Sequence, residues 1–178
     1  MGDHLWISRY ILQRIAEDFN VSISFSPKIF RDLAGAGCHT NFSTKTMRAG
    51  TGGMEYINQM MEKMAPHHDD HISVYDNGYG NINRLTGEPF SSNAKMFSFG
   101  VGNRDCSIRI PTGTFMAGGA GYIEDRRPSS NCDPYVVCGM IVNSGVGTED
   151  LSADLKDSFR SWKAWRTQHN LDTEEPSV

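Results

Sequence analysis

Apolar residues at Leu5, Leu12, Ile15, Ala16 and Phe19 recur at helical spacing behind Asp3, a capping residue type. They predict a first helix with one core face, ending near Asn20. Next, Val21, Ile23 and Phe25 alternate with Ser22, Ser24 and Ser26, the period-two signature of a half-buried strand that stops before Pro27. A glycine turn then feeds Gly35 to Thr44, GAGCHTNFST. Strand side chains alternate between faces, so Cys38, Thr40 and Phe42 are expected to pack inward. His39, Asn41 and Ser43 would then line one outer face, where a metal and a phosphate could both sit.

Gly52-Gly53 opens a second helix in which Met54, Ile57, Met61 and Met64 form a stripe before Pro66 interrupts it. Methionine fills irregular packing gaps, so the stripe is read as core. The string HHDDH, residues 67 to 71, has metal-ligand residue types. It crowds them into one polar loop or helix end, however, whereas structural metal sites draw on separated elements. Two more strands are predicted where Cys106, Ile108 and Ile110 alternate with Ser107 and Arg109, and where Tyr122, Glu124 and Arg126 alternate with Ile123, Asp125 and Arg127. Gly139, Gly145 and Gly147 should weaken any continuous helix after Pro134. From Asp150, Leu151, Leu155, Phe159 and Trp162 suggest a terminal amphipathic helix and then an acidic end, Glu174-Glu175-Pro176. The fold class expected is α+β, an antiparallel sheet packed with helices on one side.

With 178 residues, 38% of them hydrophobic, the chain can bury one ordinary core or form part of a larger one. A formal charge of -4 provides no bulk basic surface, which argues against nucleic acid and anionic membranes as partners. The four cysteines have no C-x-x-C spacing and follow no secretory signal, so buried, reduced thiols are expected rather than zinc or disulfides. No apolar run approaches the roughly 18 residues that span a bilayer, and a cytoplasmic location is the default.

Guanidinium groups suit phosphate and carboxylate because their planar fork donates two hydrogen bonds at once. The candidates are Arg84, Arg104, Arg109 and Arg126. Taken singly, each reads as a solvated surface charge, but Arg109 and Arg126 lie on strands with defined faces. Glu124 shares a face with Arg126 and could hold a cation beside the anion that the arginine grips; the bland alternative is an exposed ion pair. His39 alone would read as a hydrogen-bonded structural histidine.

Five strings occur together in order: MGDHLW at the start, GAGCHTNFST, RLTG at Arg84 to Gly87, SIRIP at Ser107 to Pro111, and EDRRPSSNCDPY from Glu124. Together they closely resemble the eukaryotic-type glutamine synthetases from Gly2 to about Tyr135, far more specifically than any one motif. The resemblance implies a glutamine synthetase catalytic-domain portion over residues 1–145, without the family's N-terminal β-grasp domain, and a divergent helix and tail over 146–178. It implies formation of glutamine from glutamate and ammonia with ATP, through γ-glutamyl phosphate, assisted by Mg2+ or Mn2+. Residue by residue, His39 and Glu124 would bind metal. Asn41, Phe42, Ser43, Tyr122 and Ile123 would border the nucleotide, and Arg109 would meet its phosphates. Arg84 and Arg126 would grip glutamate, while Arg104 would contact nucleotide and substrate and serve catalysis. The family assembles into oligomers whose adjacent subunits share each site, so self-association or association with full-length subunits is expected.

There are departures from the family pattern. Its other metal-binding glutamates would lie upstream of Met1. At the position of its flap glutamate, which helps deprotonate ammonium, this chain has Phe90. Phenylalanine cannot accept a proton, and Glu88, two residues away, is the candidate substitute. The tract Pro27 to Ala34 also lacks the family's Lys-Pro and Trp-bearing segment. A catalytically inactive relative that retains nucleotide binding, or associates with full-length subunits, is therefore the alternative reading, with an independent phosphotransferase behind it.

Overall fold

The computed structural model describes residues 1–76, 80–146 and 168. The first periodic run forms α1, Gly2–Asp18, but Met1 occupies the N-cap and Asp3 lies inside the first turn. Its carboxylate there complements the helix dipole instead of capping. Only Ala16 of the five expected core residues is buried; Leu12, Ile15 and Phe19 are 45%, 48% and 72% exposed. The predicted strand over Val21 to Phe25 does not form, since no neighbouring strand among the described residues pairs with it. Alternation specifies the two faces a strand would present, but a ladder also needs a partner.

Four short strands build the sheet: β1 (Thr40–Phe42), β2 (Phe99–Val101), β3 (Ile108–Ile110) and β4 (Ile123–Asp125), in the order β1-β4-β3-β2. The pairs β1/β4 and β3/β4 are antiparallel as expected, whereas β2, which the pattern did not single out, pairs parallel to β3. The sheet is therefore mixed. Its register places Asn41, Glu124, Arg109 and Gly100 in one row across all four strands. Side chains in such a row share a face.

On the opposite face Ile108, Ile110 and Ile123 pack with Ile57, Met60, Met61 and Met64 of α3 (Gly53–Met64). The methionine stripe is core, as its spacing predicts. Along the chain α2 (Lys45–Ala49) lies between β1 and α3 and is capped by the Thr44 hydroxyl, which accepts from Met47 N–H at 3.1 Å. Pro66 does not end the helical path: a single 3-10 turn, Ala65–His67, leads into α4 (His68–Asp76). Proline fits there because the first N–H groups of a helical turn need no intrahelical acceptor. A short α5 (Thr112–Met116) precedes β4.

The Asp133 side chain caps α6 (Pro134–Ile141) by accepting from the N–H groups of Tyr135 and Val136. The helical path runs on through Val142–Val146 in wider turns, despite Gly139 and Gly145. Packing overrides propensity here, because Gly145 lies against Met60 and Met64. A second apolar cluster joins Tyr75, Cys132, Val137, Met140 and Ile141. All four thiols are free, with Cys106 and Cys132 buried and Cys38 and Cys138 half-buried. Among the described residues no helix is long and apolar enough to cross a membrane. The predicted helix from Asp150 to Trp162 and the acidic end lie outside the described residues.

Candidate functional site

Glu124, buried at the centre of the polar row, organises the site. Its carboxylate is in ion-pair contact with Arg109 on β3, lies 3.1 Å from His39 Nδ1 and is 3.4 Å from Arg126 Nη1. Arg126 Nη1 also lies 3.4 Å from His39 Nδ1. The register predicts this meeting: Arg109 faces Glu124 across β3/β4, and Asn41 faces it across β1/β4. Two guanidinium groups surround one carboxylate, which leaves an excess of positive charge suited to an anion. Burial lowers the His39 pKa, the Arg126 charge lowers it further, and Glu124 opposes both. The ring is thereby kept neutral, the form a metal requires.

Behind this face lies a polar layer that the sequence reading missed. Arg127, fully buried, holds Asp125 through two bonds, Nε to Oδ1 at 2.9 Å and Nη2 to Oδ2 at 2.8 Å. Its remaining donors reach His71 Nδ1 at 3.1 Å and His68 Nδ1 at 3.4 Å. Both Nδ1 atoms must accept, so both rings are neutral and protonated at Nε2. His68 Nε2 then donates to Ala94 O at 3.1 Å, and His71 Nε2 to Ser144 Oγ at 2.7 Å. Burial pushes His71 down to about 3, with Arg127 adding to the shift. Two histidines of HHDDH are thus inward-facing acceptors for a buried arginine rather than parts of a polar loop, while His67 pairs with Asp70 on the surface. The signal available was EDRR itself: alternation sends Asp125 and Arg127 to the face opposite Glu124 and Arg126.

Arg84 is buried, and its Nη2 donates to the carbonyls of Arg126, Arg127 and Pro128 at 3.2, 2.7 and 3.1 Å. Its Nε donates to Asn81 Oδ1 at 3.1 Å. Burial, aided by Arg126, lowers its pKa to about 10, so it stays charged at neutral pH. Most of its donors brace the segment that carries Arg126. Arg104 has an exposed side chain, and its carbonyl accepts from Arg126 Nε at 3.1 Å.

Asn41 is exposed on the site face, whereas the Ser43 hydroxyl already accepts from Arg48 at 2.9 Å. Tyr122 is exposed at the edge of β4, but Ile123 is 1% exposed, within the core on the opposite face, and Phe42 packs against both apolar clusters. Strand alternation thus turns the side chains of Phe42 and Ile123 toward the core and leaves their backbone beside the site face. Phe90 has φ +67°, its N–H bonds Asp105, and its carbonyl lies 3.4 Å from Arg126 Nη2. Glu88 lines an open depression with Lys28, Ile29, Arg31, Asn83 and Thr86, whose walls include none of the residues around Glu124.

A divalent cation fits the His39 and Glu124 pair. Two ligand atoms each about 2.1 Å from an ion, at right angles, lie about 3.0 Å apart; Nδ1 and Oε1 are separated by 3.1 Å. Arg126 Nη1 would have to withdraw as the ion entered. Among the described residues no group of three or more His, Cys, Asp or Glu side chains could hold a metal. The pair would supply two ligands of a larger coordination sphere.

The mixed sheet, with a buried carboxylate flanked by two arginines and a histidine on one face, defines an α+β domain. The family profile described as "Glutamine synthetase, catalytic domain" matches residues 1–151. The chain belongs to that family. It is 52% identical over 147 residues to glutamine synthetase of Suillus bovinus, covering 82% of this chain and 40% of that protein. Against glutamine synthetase of Saccharomyces cerevisiae the identity is 49%, covering 89% and 42%. Against glutamine synthetase 1, mitochondrial, of Drosophila melanogaster it is 52%, covering 80% and 36%. The chain thus spans about two-fifths of the length of the curated relatives it matches. Among solved structures, apo GmaS without ligand shares the fold at a TM-score of 0.60 and 22% identity, over 82% of this chain and 34% of that one.

Proposed function

We propose that this chain supplies the nucleotide and glutamate side of an ATP-dependent glutamate–ammonia ligase. The observation that carries the reading is the Glu124 carboxylate set among His39, Arg109 and Arg126 on one sheet face. In the reaction, the glutamate side-chain carboxylate forms an O–P bond to the terminal phosphorus of ATP as the bond to ADP breaks. Ammonia then forms a C–N bond, and phosphate leaves. Such transfer is accelerated mainly by positioning and by neutralising charge on the migrating group. Arg109 and Arg104 balance that charge, Arg126 and the free Nη1 of Arg84 hold the glutamate carboxylates, and Asn41, Ser43 and Tyr122 border the nucleotide beside the backbone of Phe42 and Ile123. His39 and Glu124 would hold the divalent cation, Mg2+ or Mn2+, whose chemistry is electrostatic stabilisation of phosphoryl oxygens. Ammonium must lose a proton before attack. Glu88 is the carboxylate nearest in sequence to the flap position, and its turn would have to swing toward Arg126 to take that proton. The cytoplasm and an oligomeric assembly that completes the site belong to the same reading.

Mass spectrometry of the native N-terminus identifies the polypeptide to assay. It is expected to convert glutamate, ammonium and ATP to glutamine, and Arg126→Ala should lower kcat/KM for glutamate by at least about tenfold through loss of a charged carboxylate grip. Absence of turnover in a native polypeptide that still binds Mg·ADP by calorimetry would reject the ligase reading.

A further inference from the structure

We infer that the outer face of α1 is an interaction surface for a second copy of this chain, which docks its own α1 antiparallel about a two-fold axis at Ile11. The helix is held to the rest of the molecule along one line. Gly2, Arg9 and Ala16 recur at seven-residue spacing and are its buried residues. Gly2 lies against the Tyr135 ring of α6, the Tyr135 hydroxyl donates to Asp3, and Arg9 Nη2 donates to the carbonyls of Ser130 and Cys132 at 2.6 and 2.9 Å. At 3.6 residues per turn, His4, Ile7, Ile11 and Asp18 fall about half a turn away from that line, with Ile15 beside them. All five are exposed.

The order of these residues selects the occupant. The steps from His4 to Ile7, Ile11, Ile15 and Asp18 are three, four, four and three residues, the same in either direction. An isologous pair, in which every contact occurs twice, needs that symmetry. Laid antiparallel, Ile11 meets Ile11 of the second copy, Ile7 meets Ile15, and each His4 meets an Asp18. The imidazole can donate to that carboxylate in either charge state, and among the described residues neither side chain belongs to an ion pair. A parallel pair would instead set Asp18 against Asp18 and align the two helix dipoles, both unfavourable. Arg14 and Glu17, at the margin of the stripe, pair with each other at 2.8 Å and add no net charge to it.

Isoleucine suits such a seam, because its β-branched side chain has little rotamer freedom to lose on docking. One helix pair buries less than the roughly 800 Å² per partner of a stable interface, so the dimer is expected to dissociate in the micromolar range. None of the residues gathered around Glu124 lies on α1. The proposal therefore survives or fails independently of the ligase reading.

Sedimentation velocity of the purified chain over a concentration series is expected to show a monomer passing to a dimer, and cross-linking reads the register. Helices packed 8–10 Å apart bring the two Cα atoms on the axis to within about 5 Å, inside disulfide reach. Under oxidised glutathione, Ile11→Cys should give a covalent dimer whose linked peptide maps to position 11 in both copies and which dithiothreitol reverses. Gln13→Cys, exposed on the far side of the same helix, should not. His4→Asp should raise the dissociation constant about fivefold, because both symmetric pairs become like-charged. Exchanging the two residues, His4→Asp with Asp18→His, should restore it. A monomer at every concentration, equal cross-linking of the two cysteine variants, or no recovery in the exchanged variant would each overturn the proposal. A monomer whose Ile11→Cys thiol also resists alkylation would overturn it in favour of another segment of the same polypeptide on this face.

Discussion

Asp125 and Arg127 stand back to back with the residues that meet at the site, and their burial has a consequence in pH. His71 is held at about 3 in the folded chain, mainly by burial, against about 6.5 when unfolded. A depressed folded value means that the unfolded state binds the extra proton. The stabilisation is complete above about pH 6.5 and is lost as pH falls toward 3. His39 and His68 are lowered in the same direction. Asp125 extends the trend at the acid end: burial alone would raise it, but the Arg127 charge and hydrogen bonds outweigh burial and keep it below its ordinary value. Urea unfolding midpoints should therefore fall as pH drops from 6.5 to 4. His71 alone contributes a slope of up to about 1.4 kcal/mol per pH unit, and His71→Gln should flatten the curve. An identical pH profile in the variant would contradict the buried-neutral assignment.

Among the elements, the connection from α5 to β4 is fitted with little tolerance. Gly119 has φ +96°, and a Cβ there would lie 2.4 Å from the backbone carbon of Gly53 at the start of α3. Backbone cannot swing aside as a side chain can. Gly119→Ala should cost at least about 1 kcal/mol by strain and overlap together, read as a lower urea midpoint with an unchanged m-value. Gly118→Ala makes an informative comparison, because φ is +64° there but nothing stands within 4 Å of the added methyl. Equal losses in both variants would assign the effect to backbone conformation alone.

The whole molecule leaves apolar surface uncovered. Trp6, Ile7, Tyr10, Ile11, Ile15 and Phe19 on and beside α1, with Val21, Ile29, Phe30 and Leu33 in the segment that follows, are all exposed. Exposed apolar area on this scale is a liability in an isolated monomer. β1 and β2 are also the two edges of the sheet. The purified chain should self-associate in sedimentation velocity as its concentration rises, and Ile7→Lys with Ile11→Lys should reduce that association. A monomer with a cooperative, high-temperature unfolding transition would contradict this.

Local chemistry alone determined where the site residues fall. Alternation in TNF, IRI and IED separates the polar row from the core, and helical spacing marks the methionines of α3 as core, because both periods are properties of the backbone. The GAGCHTNFST, SIRIP and EDRRP strings carried the family assignment for the same reason: side-chain chemistry at fixed spacing is legible in the sequence. Which of these residues touch was decided by tertiary structure. The parallel pairing of β2, the missing strand at Val21, the bracing of Arg84 on three carbonyls and the exposed face of α1 all depend on which neighbours are present, and periodicity is silent about neighbours. HHDDH shows the difference most clearly: its crowded spacing already argued against a metal, but only the arrival of Arg127 from 56 residues away made His71 a hydrogen-bond acceptor.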